Sequence, residues 1–254
     1  MTHSIQNNDY DYQFFCLSFN NLTRKENMKR RFESIGIDCK FNEGVTNDDD
    51  RIKGRNNSNT RVWSCMYGHL DMISDFYYNT NKQFGIFCED DLYIHKELVN
   101  KLPEIMLDFN YLELDVLLLG YLLHYKLEKN IVYHNFSLKN TLQNNKIHES
   151  NTTNLYYDYP NDLWGAQMYM LSRNSAKKIL DKYSFSSGYA DRTLNDNTLT
   201  PFSSDWTITK DGNRALISPI LAVEDNQSNY EHIGQKHFHQ ACFQTHFDSE
   251  QFII

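Results

Sequence analysis

Hydrophobic and polar positions alternate in blocks along the chain, and the blocks have the lengths of strands and helices. Gln13 to Phe19 is a short, nearly continuous apolar run, the signature of a strand buried on both faces. Thr23-x-x-Glu26 reads as a capping box opening a helix. That helix carries Met28, Phe32 and Ile35 on one face and stops at Gly36. Ile37 to Phe41 is a second strand, completing a β-α-β opening. Residues 46 to 60 are too polar to pack and read as a mobile loop. From Val62 to Tyr78, the residues Trp63, Met66, Tyr67, Leu70, Ile73 and Tyr77 recur at helical spacing.

The block order then repeats. Phe84 to Cys88 is a buried strand followed at once by Glu89-Asp90-Asp91. A helix is predicted over Lys96 to Asp108, and Val116 to Gly120 is the next buried strand. Residues 128 to 159 are polar and asparagine-rich, an insertion with one strand candidate at Ile131 to Phe136. Trp164 to Leu171 is a strand, and Ser172 caps a helix through Ala176, Ile179 and Leu180. A last strand is expected at Ala215 to Val223, before a histidine-rich tail. Apolar strands alternating with amphipathic helices predict an α/β fold with a mostly parallel central sheet. Residues 1 to 12 are expected to be disordered, and 13 to 254 to form one domain.

Composition narrows the function. The chain of 254 residues is long enough to bury a sizeable core, to which 17 Tyr and 16 Phe contribute. Its net charge of −8 is not the footprint of a nucleic-acid binder. The basic cluster Arg24, Lys25, Lys29, Arg30 and Arg31 falls on the first helix and reads as a solvated face. Five scattered cysteines without a C-x-x-C pair argue against a disulfide framework and against structural zinc. No apolar stretch is long enough to span a bilayer and no signal core opens the chain, so the expectation is a soluble, cytoplasmic protein.

The sharpest chemical feature is Glu89-Asp90-Asp91. Acids at the C-terminal edge of a buried strand stand where open α/β sheets bind ligands. Extended geometry would project Glu89 and Asp91 to the same side, where the pair could hold a hard divalent cation. The alternative is an acidic turn that only caps the next helix. Asp48-Asp49-Asp50 has no apolar run before it and reads as loop.

The stretch Trp63 to Leu92, with Gly68-His69 on the helix and FGIFCEDD after it, resembles glycosyltransferase family 25. Further pieces follow in the family's order. Phe19-Asn20 ends the first strand with Arg24 after it, and Val116 to Gly120 follows the acids. Gly165, Tyr169, Ser172 and Ala176 have the family's spacing, and Ser204-Asp205-Trp206 is a late acid-aromatic pair. The chain departs from the family at Asn27, where a second arginine is usual.

The resemblance implies a GT-A-like nucleotide-binding fold, a UDP-sugar donor, Mn²⁺ (or Mg²⁺) and inversion at the anomeric carbon. The acceptor would be a hydroxyl of a glycan or a protein, a collagen-like hydroxylysine included. Within it, Glu89 and Asp91 are candidate metal ligands, with His232 or His237 as a third. Phe19, Asn20, Arg24, Asp90, Trp164 and Gly165 are assigned to the donor. Asp205 is the candidate general base, or else a helix cap, and Trp206 lies at the acceptor. His69 reads as a hydrogen-bonded structural histidine. A catalytically inactive nucleotide-sugar or glycan binding protein on the same fold is the alternative. A metal-dependent hydrolase would need further carboxylates on neighbouring strand ends.

Overall fold

A computed structural model describes residues 11–53, 60–139, 154–228, 230 and 232–254. The N-terminal segment 1 to 10, the middle of the polar loop and the core of the 128 to 159 insertion lie outside the described residues. In chain order the elements are β1 (Tyr12–Ser18), α1 (Leu22–Ser34), β2 (Cys39–Glu43), α2 (Thr60–Asn79), β3 (Phe84–Glu89) and β4 (Leu92–His95). There follow α3 (Leu98–Tyr111), β5 (Val116–Leu122), β6 (Leu155–Tyr157), β7 (Trp164–Ser172), α4 (Arg173–Tyr183) and α5 (Tyr189–Thr193). The chain closes with β8 (Arg214–Ser218), β9 (Ala222–Glu224), α6 (Ile233–His246) and β10 (Phe252–Ile253).

The expected α/β fold is present, and its sheet is mixed. Strands β2, β1 and β3 lie parallel, β7 enters antiparallel between β3 and β5, and β8 and β9 return parallel to β5. Side chains alternate across the sheet and build a core on each face. Phe15, Leu17, Phe87 and Tyr169 pack with α2 and α4, while Phe14, Cys16, Ile86 and Met168 pack with α1 and α3. Buried strands apolar on both faces are what covering helices on both sides require.

Several expectations change. Helix α1 is capped by Asn21, whose side chain accepts from the Arg24 backbone N–H at 3.1 Å; Thr23 already lies inside the helix. An asparagine caps as well as a threonine, so the capping-box pattern misplaced the start by two residues. The second strand is displaced toward Glu43 because its register is set by pairing with β1, Phe14 opposite Cys39. Residues 46 to 53 are a packed turn: Ile52 is buried, and Arg51 reaches both Asp49 and Asp71. Arg31 does not belong to a solvated face; it is buried, with its Nη1 donating to the Leu92 carbonyl at 2.8 Å.

Strand β4 comes just before the expected helix 96 to 108, which begins later, at Leu98. Ile131 to Phe136 forms no strand, only an isolated bridge between Tyr133 and Phe136. The single strand expected at 215 to 223 is two, β8 and β9, separated around Pro219, which has no N–H for a ladder. The histidine-rich tail is helix α6. No helix among the described residues is long and apolar enough to cross a membrane.

Candidate functional site

The site lies at the C-terminal ends of β1, β3 and β9. Ser18, the last residue of β1, donates its Oγ–H to Asp90 Oδ2 at 2.7 Å, across the turn that leaves β3. Strand geometry does not continue through that turn, because β4 starts at Leu92. Glu89 and Asp91 therefore face different neighbours. Asp91 looks toward α1: its Oδ2 accepts from Arg24 Nη1 at 3.4 Å and from Ser228 Oγ at 3.0 Å. Glu89 looks toward α2, with Oε1 at 3.4 Å from His69 Nε2 and 3.8 Å from Cys65 Sγ. The triplet caps no helix, since β4 separates it from α3.

Strand β9 contributes a second acidic pair. The Asp225 N–H donates to the Asp91 carbonyl at 2.7 Å, and Asp225 Oδ1 lies 3.8 Å from Arg24 Nη2. Glu224 is buried with a partner on each oxygen: Oε1 accepts from Tyr230 at 2.9 Å, and Oε2 is 2.7 Å from His239 Nδ1. Neither Glu224 nor Asp225 was expected at the site, although they repeat the same signal, acids directly after a buried strand. Ser228, Tyr230 and Ser18 carry no such signal, since only the folded chain brings them near.

The electrostatics are those of crowded carboxylates short of water. Burial, then the charges of Asp205 and Glu224, hold the Glu89 carboxyl up at about 8. Burial with Glu89 and Glu224 also raises Asp91, against the pull of Arg24. Asp90 and Asp225 are raised too, mainly by burial. Asp91 Oδ1 is buried without a hydrogen-bond partner, which is costly for a carboxylate unless something positive meets it.

Asp205, in the turns after Phe202, adds its charge to this cluster and lies beside the start of β7. Its Oδ1 accepts from the Gly165 and Ala166 N–H groups at 2.8 and 2.9 Å, fixing the first residues of that strand. The helix-cap reading fails, because Ser203 to Lys210 winds only through turns. Beside it, Trp164 and Trp206 meet edge to face at 5.8 Å, and Trp164 remains 41% exposed. Lys210 lies over the Trp206 and Tyr159 rings, and burial lowers it to about 8.

Other expected residues are placed as follows. Phe19 is exposed and lies against Gly44, where a Cβ would come within 2.7 Å of its ring. Asn20 adopts φ 49° and its N–H donates to Glu43 Oε1 at 3.5 Å. Among the described residues, the tail histidine hydrogen-bonded to the clustered acids is His239, two residues further along α6 than His237. Helical spacing separates His239 from His237, since residues two apart cannot share a helix face, while His232 is the N-cap that precedes α6. His69 is fully buried, with Nδ1 2.9 Å from the Tyr169 hydroxyl. Burial lowers it to about 4, so it is neutral near pH 7.

Among solved structures, one titled mannose-1-phosphate geranyltransferase, from Thermus thermophilus, aligns at 7% identity with a TM-score of 0.42, over 82% of this chain and 74% of that one. No curated protein matches the chain. The model of glycosyltransferase family 25 (LPS biosynthesis protein) matches residues 12–194, from β1 through the acid triplet to α5, and the chain belongs to that family.

Proposed function

We propose that this protein is a metal-dependent, inverting hexosyltransferase. In this reading it moves galactose or glucose from a UDP-sugar to a hydroxyl of a glycan or protein. The observation that carries the reading is the meeting of Glu89, Asp90 and Asp91 with Glu224, Asp225 and Asp205, with Asp91 Oδ1 buried and unpartnered. Such a cluster binds a diphosphate only through a cation, and its oxygen donors suit Mn²⁺ or Mg²⁺. Glu89 and Asp91 would hold the ion, with Glu224 oriented by Tyr230 and His239 as the third acid in place of His232 or His237. When bound, the ion neutralises charge on the departing diphosphate.

The remaining roles belong to the chain. Arg24, hydrogen-bonded to Asp91 and Ser228, is placed to turn its guanidinium onto a phosphate. Phe19 and Asn20, at the end of β1, border the same edge and serve the nucleotide. Ser18 holds Asp90 in position for the donor. Asp205, with Oδ1 committed to backbone, would accept the acceptor proton on Oδ2 as the hydroxyl attacks the face opposite the leaving group. The exposed Trp164 and its neighbour Trp206 offer aromatic faces to the sugars.

Calorimetric titration of UDP, UDP-glucose and UDP-galactose with Mn²⁺ and with EDTA tests this on the wild type and on Asp91→Asn. Binding that requires the ion and weakens at least tenfold in the variant is expected. A protein that binds no nucleotide under either condition would return the case to an inactive binding module.

A further inference from the structure

Beyond the oxygen-rich cleft, the chain gathers ligands of a different kind. Cys65 and His69 are four residues apart on α2 and so share one face of it, turned toward the end of β3. There the Cys65 Sγ, a ring nitrogen of His69 and a carboxylate oxygen of Glu89 all lie within 4.8 Å of one another. The Sγ to Oε1 distance is 3.8 Å and the Nε2 to Oε1 distance 3.4 Å. Sulfur, nitrogen and oxygen donors set tetrahedrally on zinc at its usual bond lengths are about 3.3–3.6 Å apart. The two distances to Glu89 already lie within a few tenths of an ångström of that range, and the Cys65 to His69 separation is at most 4.8 Å.

The surroundings suit a ligand set. Tyr169 OH lies 2.9 Å from His69 Nδ1, and when it accepts that N–H it leaves the Nε2 lone pair aimed at Glu89. A partner on the second ring nitrogen is how metal-bound histidines are oriented. Ser204 Oγ approaches the thiol at 3.9 Å, and Glu89 retains 31% exposure of its side chain, so solvent reaches one member of the group.

We propose that Cys65, His69 and Glu89 form a site for a thiophilic divalent cation such as Zn²⁺, distinct in ligand chemistry from the oxygen-lined cleft but sharing Glu89 with it. The two cations compete for one carboxylate. A thiolate and a neutral imidazole prefer zinc over manganese or magnesium, whereas the acids Asp91, Glu224 and Asp225 do not. On the transferase reading of the cleft, zinc here inhibits by withdrawing Glu89. The site itself does not depend on that reading.

The probe is Co²⁺ alone, added to the full chain at pH 8 without nucleotide. The wild type should take up one ion with a thiolate-to-cobalt charge-transfer band and the visible bands of a tetrahedral ion, and Zn²⁺ should abolish both. Cys65→Ser should lose the charge-transfer band and bind Zn²⁺ at least tenfold more weakly, while melting like the wild type in EDTA. Should that variant fail to fold, alkylation of the wild type decides. Zn²⁺ should protect Cys65 from iodoacetamide and leave the part-exposed Cys39 reactive. A wild type without the band, a band that survives Cys65→Ser, or a Cys65 that Zn²⁺ does not protect would overturn the proposal. None of these readouts involves UDP, so their failure is separate from failure of the transferase assignment.

Discussion

At the scale of single residues, the proposed function makes Asp205 structural and chemical together. Its Oδ1 serves two backbone amides at the start of β7, and only the other oxygen is left for a proton. Asp205→Asn keeps the acceptor and removes the charge, so its stability in urea should stay within about 1 kcal/mol of the wild type. Transfer by the same variant should fall by roughly 10²–10⁴, the usual worth of a general base. Unchanged transfer would leave Asp205 a purely structural tie.

Glu89 and His69 make a second residue-scale prediction, through pH. Glu89 titrates at about 8 in the folded protein against an ordinary 4.5, so the folded state holds its proton more tightly and loses stability as pH rises from 4.5 to 8. His69, lowered to about 4 from 6.5, acts in the opposite sense, costing stability as pH falls from 6.5 to 4. The two oppose each other between 4.5 and 6.5. Above 6.5 only the Glu89 contribution remains; Asp91, raised mainly by burial, acts in the same sense as Glu89. The metal-free protein should therefore weaken between pH 6.5 and 8, by at most about 2 kcal/mol from Glu89 after solvent screening. Thermal melts in EDTA would show the slope, and Glu89→Gln should flatten it.

At the scale of elements, the site depends on how β5, β7 and β9 meet. Gly120 of β5 lies between Met168 of β7 and Ala222 of β9, and a Cβ there would stand 3.0 Å from the Ala222 carbonyl oxygen. Backbone on both sides leaves no flexible side chain to yield. Gly120→Val should cost about 1–3 kcal/mol in urea unfolding, and it should weaken Mn²⁺ binding because β9 ends in Glu224. Wild-type stability in this variant would mean that the strands separate more easily than their spacing suggests.

Elements were legible where their periodicity was strong. Helix α2 and strands β1, β3, β5 and β7 stand close to where apolar spacing puts them. The short edge elements were not legible. Strands β4, β6 and β10 have too few residues for a pattern, and they exist because neighbouring strands supply their hydrogen bonds. Helix α6 was missed because apolar residues such as Phe238 and Phe243 are mixed with histidines and glutamines, which blurs the stripe.

At the scale of the whole molecule, folding collects negative charge at one end of the sheet and places Arg24 among it. Such an arrangement stores unfavourable energy that a cation releases, so metal binding and folding should be linked. Mn²⁺ at about a hundredfold its Kd should add about 2.7 kcal/mol, or roughly 5–10 °C in Tm. Asp91→Asn should lose most of that gain in differential scanning calorimetry. A protein whose melting ignores Mn²⁺ and Mg²⁺ alike would have no metal site in the cleft.

What the chain determines by itself is local. Apolar runs set the strands, helical spacing sets α1 to α4, and an acid triplet after a buried strand marks the C-terminal edge of the sheet, because these patterns act over a few residues. What only the tertiary structure decides is which distant acids, hydroxyls and histidines join that edge. Glu224 and Asp225 arrive because β9 returns parallel to β5, and His239 is chosen over His237 because it is the helix face turned inward. Cys65 meets Glu89 because α2 packs across β3. Those meetings depend on sheet pairing and helix packing between segments far apart in the chain, and no short-range pattern encodes them.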